Sequence, residues 1–153
     1  MQRKSRSRKH YFRDYGKRYK VDLIFFIMDK VKFFIDGLEK FSDFDRVKFI
    51  ILYGSQASGK ANKMSDYDFA VFYEGGKKER FNFRIRASGN KLLDVQIFQD
   101  LPLYVKKEVL KGKVVYAKDD DLSFVGDVAY ETIKAFEDFK KYYYDYIGMR
   151  KMR

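Results

Sequence analysis

The stretch VKFIILYGSQASGKANKMSDYDF, residues 47–69, decides how the rest of the chain is read. Val47 to Tyr53 is apolar apart from Lys48 and rich in β-branched and aromatic residues, the composition of a buried strand. It stops at Gly54-Ser55. Glycine lets backbone approach a phosphate closely, and a helix starting there offers free N–H groups and the positive end of its dipole, with the Ser55 hydroxyl as a further donor. Gln56 to Met64 is small and polar enough for a short helix and a loop. Asp66 to Tyr73 then reads as a second strand. Residues i and i+2 of a strand share a face, so Asp66 and Asp68 project together. Two carboxylates so close repel one another, and a divalent cation is the simplest remedy.

Downstream, Phe81, Phe83, Ile85 and Ala87 alternate with Arg80, Asn82, Arg84 and Arg86. After Ser88-Gly89-Asn90, Leu93, Val95 and Ile97 alternate with Leu92, Asp94, Gln96 and Phe98. The pair predicts a β-hairpin. Asp94 is a lone carboxylate in an apolar strand, costly unless paired, protonated or metal-bound. It either pairs with Arg84 or Arg86 or, if its strand lies beside the second one, completes a cluster of three carboxylates. Such a cluster suits two metal ions in phosphoryl transfer.

Pro102 opens a short helix that Gly112 ends, Val114 to Ala117 is a last strand, and Asp119 to Asp121 precede a long helix. Val125, Val128, Ala129, Thr132, Phe136, Phe139, Tyr143 and Tyr146 form its core stripe. Upstream, residues 21–40 are amphipathic, with Ile24, Ile27, Met28, Val31, Phe34, Ile35 and Leu38 on one face and Phe26 and Phe33 near the acidic one. The elements predict an α+β domain, a mixed and mostly antiparallel sheet flanked by helices.

At 153 residues the chain suits one domain. It has no cysteine, which excludes disulfides, thiol catalysis and Cys-ligated zinc, and its single histidine, His10, sits in a basic arm. Any metal is therefore held by oxygen, which favours magnesium, with manganese as the substitute. The net charge of +11 is uneven. Residues 1–20, read as a flexible arm, carry +8 and the tail at 148–153 carries +3, so the body, residues 21–147, is neutral. The arm is solubilising or touches RNA phosphates. No apolar run is long enough for a membrane span, and the expected location is the cytoplasm.

Residues 54–61 also match a P-loop up to Ala61, which stands where the magnesium-binding Ser or Thr belongs. The long helix a P-loop needs after Lys60 is missing as well, because the second strand begins within a few residues.

Gly54-Ser55, ten residues, then Asp66-Tyr67-Asp68 resembles the motif of polymerase-beta-type nucleotidyltransferases. The fuller string from Tyr53 to Gly59 and from Ser65 to Phe69 is similar to the minimal nucleotidyltransferases (MNT proteins). The resemblance implies the polymerase-beta-like fold over residues 21–147. It implies that Asp66 and Asp68 bind magnesium, that Asp94 completes the catalytic site, and that Gly54 and Ser55, with Ser65 and Lys60, hold the nucleotide. Family members often carry arginines where Gln56 and Ser58 stand, so Lys60, Lys63 or Arg84 would supply that charge here. Many MNT proteins are antitoxins that transfer AMP from ATP to a tyrosine of a HEPN-type RNase toxin encoded nearby. The resemblance implies that role, in a homo- or hetero-oligomer. The toxin's own R-x4-H-x-Y pattern is absent, with Ser5 where its arginine would be. Nucleotide addition to RNA and a non-catalytic antitoxin binding module are the alternatives.

Overall fold

The computed structural model describes residues 28–59, 66–89 and 93–151. The basic arm, the start of the predicted first helix with Phe26, Lys60 to Ser65 and Asn90 lie outside them. Two compact units are separated at Gly37 and Leu38. In the first, residues 28–37 belong to helix α1, which covers residues 28–39; Val31 and Phe34 are buried as the amphipathic pattern requires, while Met28 and Phe33 are exposed.

The second unit is built on four strands, β1 (Val47–Tyr53), β2 (Tyr67–Tyr73), β3 (Leu93–Ile97) and β4 (Lys113–Ala117), in the order β3-β2-β1-β4. β1 pairs antiparallel with both β2 and β4, whereas β2 and β3 run parallel. The sheet is mixed and mostly antiparallel, as the sequence predicts. Helices α2 (Gly54–Ser58), α3 (Lys77–Ala87), α4 (Leu103–Val109) and α5 (Leu122–Lys151) connect and follow the strands.

The predicted hairpin is absent: Lys77–Ala87 is a helix and not a strand. Parallel neighbours cannot be joined by a tight turn, so the chain must cross over between β2 and β3, and α3 is that crossover. The sequence FNFRIRA satisfies a period of two, but Phe83 and Ala87, four apart, are the pair that is buried. Phe81 and Ile85, which a strand would have put on the same face as Phe83, are 57% and 59% exposed. The helix starts at Gly76, whose N–H donates to Glu79 Oε2 over 2.8 Å.

One face of the sheet carries the core of Phe49, Ile51, Ala70 and Phe98, closed by Val109 of α4 and Val125 of α5. Phe49 lies 5.1 Å from Phe72 and 5.5 Å from Phe98, centroid to centroid. The opposite face packs on α3, with Tyr73 and Phe83 rings 4.6 Å apart. At the far end of β2, Gln99 Nε2 donates to Tyr73 O (2.5 Å) and Tyr73 N–H donates to Gln99 Oε1 (3.2 Å), an amide serving as one more strand residue. Beside it, Asp43 accepts from Tyr73 Oη (2.8 Å) and from the Arg86 guanidinium, which holds its carboxyl down at about 2. Along α5, Val125, Thr132 and Phe136 of the predicted stripe are buried, whereas Phe139 and Tyr146 are exposed.

Gly112, between α4 and β4, fits where no side chain would. A Cβ there would overlap the Leu52 carbonyl oxygen and stand 2.9 Å from Ile51 Cγ2 and 3.0 Å from Val109 O. Two of these obstacles are backbone, so relief requires α4 to move off β1. Gly112→Ala should therefore cost about 2 kcal/mol, a fall of roughly 4–8 °C in Tm for a chain this size. Thermal unfolding followed by circular dichroism checks it, and an unchanged Tm would show that this turn is not tightly packed.

Candidate active site

Register fixes the site. Tyr53 of β1 lies opposite Asp68 of β2, and Asp68 lies beside Asp94 of β3. Cross-strand neighbours share a face, so these three side chains form a row across the end of the sheet. The next row is Ile51, Ala70 and Gln96, and there the surface is already core. The condition set on Asp94 by the sequence is met, since β3 lies beside β2. Neither arginine proposed as its partner takes it. Arg84 Nε donates to Val95 O (3.1 Å), and Arg86 holds Asp43. Asp94 Oδ1 accepts instead from Gln96 Nε2 at 2.8 Å.

β1 runs straight into α2 at Gly54, whose φ of 72° is left-handed. A Cβ on Gly54 would overlap Asp68 Oδ2, so the Asp68 carboxylate rests on a backbone that only glycine leaves open. Ser55 follows in the first turn, and Ser58 Oγ donates to Ser55 O at 3.2 Å. α2 is five residues long and ends at Gly59, also left-handed with φ 72°. With β2 beginning at Tyr67, the chain has no room for the long helix of a P-loop.

Burial pushes the Asp68 carboxyl group up, and the charges of Asp94 and Asp66 push it further in the same direction. The Tyr53 phenol is raised to about 12, first by burial, then by Asp68 and Asp94, with Arg84 opposing. Asp66, Asp68, Asp94, Gly54 and Ser55 are thus brought to one end of the sheet, while Lys60, Lys63 and Ser65 fall outside the described residues. Among the described residues no three acidic or histidine side chains are gathered tightly enough to form a ready-made metal cluster. The carboxylates there are nevertheless the donor type that a hard divalent cation takes, and Asp68 carries like-charge repulsion that a cation would relieve.

Tyr53 and Gln96 were not singled out by the sequence reading. The signal for Gln96 is its place two residues after Asp94, hence on the same face. Tyr53 is visible only once the antiparallel register sets it opposite Asp68.

The family described as "Polymerase beta, Nucleotidyltransferase" matches residues 38–121. A Methanocaldococcus jannaschii protein named as a protein adenylyltransferase is 34% identical over 93 residues, which are 60% of this chain and 71% of that protein. Among solved structures, a toxin–antitoxin complex with AMP-PNP contains a similar chain, with TM-score 0.62 and 18% identity, covering 78% of this chain and 97% of the other. A second similar chain comes from the tri-AMPylated Shewanella oneidensis HEPN toxin in complex with MNT antitoxin. It has TM-score 0.56 and 14% identity, with 84% and 98% covered. These two share the fold.

The raised Asp68 carboxyl group has a consequence for stability. At pH 3 it is protonated in both the folded and unfolded chain, and it costs nothing. As the pH rises from the unfolded value to the raised folded one, the unfolded chain ionises while the fold still holds the proton, so stability is lost across that window and stays lost above it. Asp68→Asn should therefore raise the Tm of the metal-free protein at pH 7–8, and the gain should vanish near pH 3. Equal Tm values for the two proteins at neutral pH would show that the row carries no repulsion.

Proposed function

From the premise that this chain belongs to the polymerase beta nucleotidyltransferase family, we propose that it transfers AMP from ATP to a tyrosine hydroxyl of a HEPN-type toxin and so acts as its antitoxin. The observation that supports this most is the register placing Asp68 beside Asp94 with Gly54 beneath. The M. jannaschii relative's name and the AMPylated toxin in a neighbour's complex support the choice of AMP and of a protein acceptor. Among the described residues no helix is long and apolar enough to cross a membrane, and the site of action in this reading is the cytoplasm.

In this reading the acceptor oxygen attacks the α-phosphorus of ATP. The new O–P bond forms as the bond to the β-phosphate's bridging oxygen breaks, and pyrophosphate leaves with that oxygen's electron pair. Asp94, the exposed carboxylate at the edge of the row, takes the hydroxyl proton. Asp66, Asp68 and Asp94 would hold magnesium, which when bound neutralises charge developing on the phosphate oxygens. Gly54 keeps the first turn of α2 free of side-chain bulk, so the terminal phosphates can approach the backbone beside Ser55. Tyr53, kept protonated, closes the β1 side of the row with a donor and without a further negative charge.

Incubation with ATP labelled at the α-phosphate, magnesium, RNA and the HEPN-type protein encoded alongside tests the reading. Label should appear on a tyrosine of the toxin and toxin RNase activity should fall. Asp66→Ala and Asp68→Ala should abolish labelling, and Asp94→Asn should slow it roughly 10²- to 10⁴-fold, the usual worth of a proton acceptor. Label on RNA would replace this reading with nucleotide addition to RNA. Full neutralisation by the Asp66→Ala and Asp68→Ala variants would leave a binding antitoxin without catalysis.

A further inference from the structure

Asp94 lies on the edge strand β3 and its side chain is exposed. An exposed carboxylate in water moves among several rotamers, and a ligand or proton acceptor that must first be ordered works less well than one already in place. Here the side chain is held. Gln96 Nε2 donates to Asp94 Oδ1 over 2.8 Å, and among the described residues it is the one donor that Asp94 has. The two residues stand on the same face of β3. In the adjacent row Gln96 lies beside Ala70, whose side chain is a single methyl group, so the amide arm has space to lie along the strand toward Asp94.

The kind of donor matters. An arginine would orient Asp94 as well, but its charge would compete with a cation and hold the carboxylate by two bonds. The guanidiniums of Arg84 and Arg86 are occupied elsewhere, on Val95 O and Asp43. A neutral amide takes one lone pair, leaves the charge in place, and leaves Oδ2 available. Amide or carboxylate partners of metal ligands commonly act in this way.

We propose that Gln96 is a positioning residue for Asp94, fixing Oδ1 so that Oδ2 serves the divalent cation and the acceptor's proton. This rests on the nucleotidyltransferase reading of the site.

Three variants test it: Gln96→Met, which keeps the length and loses the donor; Gln96→Glu, which keeps the shape and sets acceptor against acceptor; and Asp94→Asn. Each is measured for Mn2+ binding without nucleotide, for AMP transfer and for Tm. Gln96→Met should bind Mn2+ about tenfold more weakly and lose kcat about tenfold, with KM for ATP within about twofold and Tm nearly unchanged. Gln96→Glu should lose more kcat than Gln96→Met. Mn2+ affinity and kcat both unchanged in Gln96→Met would overturn the proposal. So would a raised KM for ATP at constant kcat, which would make Gln96 a nucleotide contact. Absence of AMP transfer by the unsubstituted protein would remove the adenylyltransferase reading, and the Mn2+ titration would still decide the role of Gln96.

Discussion

Parallel pairing of β2 with β3 sets Asp68 beside Asp94, and the rest of the site is arranged around the repulsion this creates. Antiparallel hairpin pairing of β3 with the preceding segment would have carried Asp94 away from β2 altogether. Parallel pairing requires a crossover, which is why α3 exists and why the segment 77–87 cannot be a strand. It also leaves β3 at the edge, where Arg84 reaches across to Val95 O and covers part of the free strand. Site and topology are therefore one constraint.

The repulsion is confined to the end of the sheet, where Asp94 and Asp66 act on Asp68. Across the sheet, Tyr53, Asp68 and Asp94 give way in the next row to Ile51, Ala70 and Gln96, and then to the Phe49–Phe72–Phe98 cluster. This economy lets a domain of modest size carry like charges at its rim. The core beneath is closed by α4 and α5, and Gly112 lets α4 sit against the β1 backbone. At the other end of β2, charge is used in the opposite sense: Asp43 is satisfied by Tyr73 and Arg86, and its carboxyl falls to about 2. One end of the strand is paired for stability, and at the other like charges stand side by side.

Much of this is legible in the sequence because it is local. The run from Val47 to Tyr53, the Asp66–Asp68 spacing and the Gly-Ser stop need only strand periodicity and the ten-residue interval. The misread segment fails for a local reason too. In FNFRIRA, apolar residues at 81, 83 and 85 meet the strand pattern, while 83 and 87 meet the helical one. The deciding signal was Gly76 with Glu79 three residues on, a helix-start pattern, reinforced by the need for a crossover. Tyr53 and Ala70 as neighbours of the carboxylates were not legible, because cross-strand partners depend on register and register depends on the whole sheet. Gln96 lies between these cases: its face was readable, but its hydrogen bond was not.

The arrangement also bears on how the proposed reaction would handle the charge of a triphosphate. Gln56 is buried in α2, and Ser58 turns its hydroxyl back onto Ser55 O, so neither of these side chains brings positive charge to the first turns of the short helix. The nearby guanidinium of Arg84 is engaged at Nε by Val95 O. Burial raises both Asp68 and the Tyr53 phenol, and the neighbouring carboxylates push each of them further in the same direction. A tetra-anionic substrate entering such a field needs compensating positive charge that α2 does not provide. In the proposed reaction, divalent cations held by the same carboxylates would supply it, and the metal would then be needed for substrate binding as well as for the chemical step.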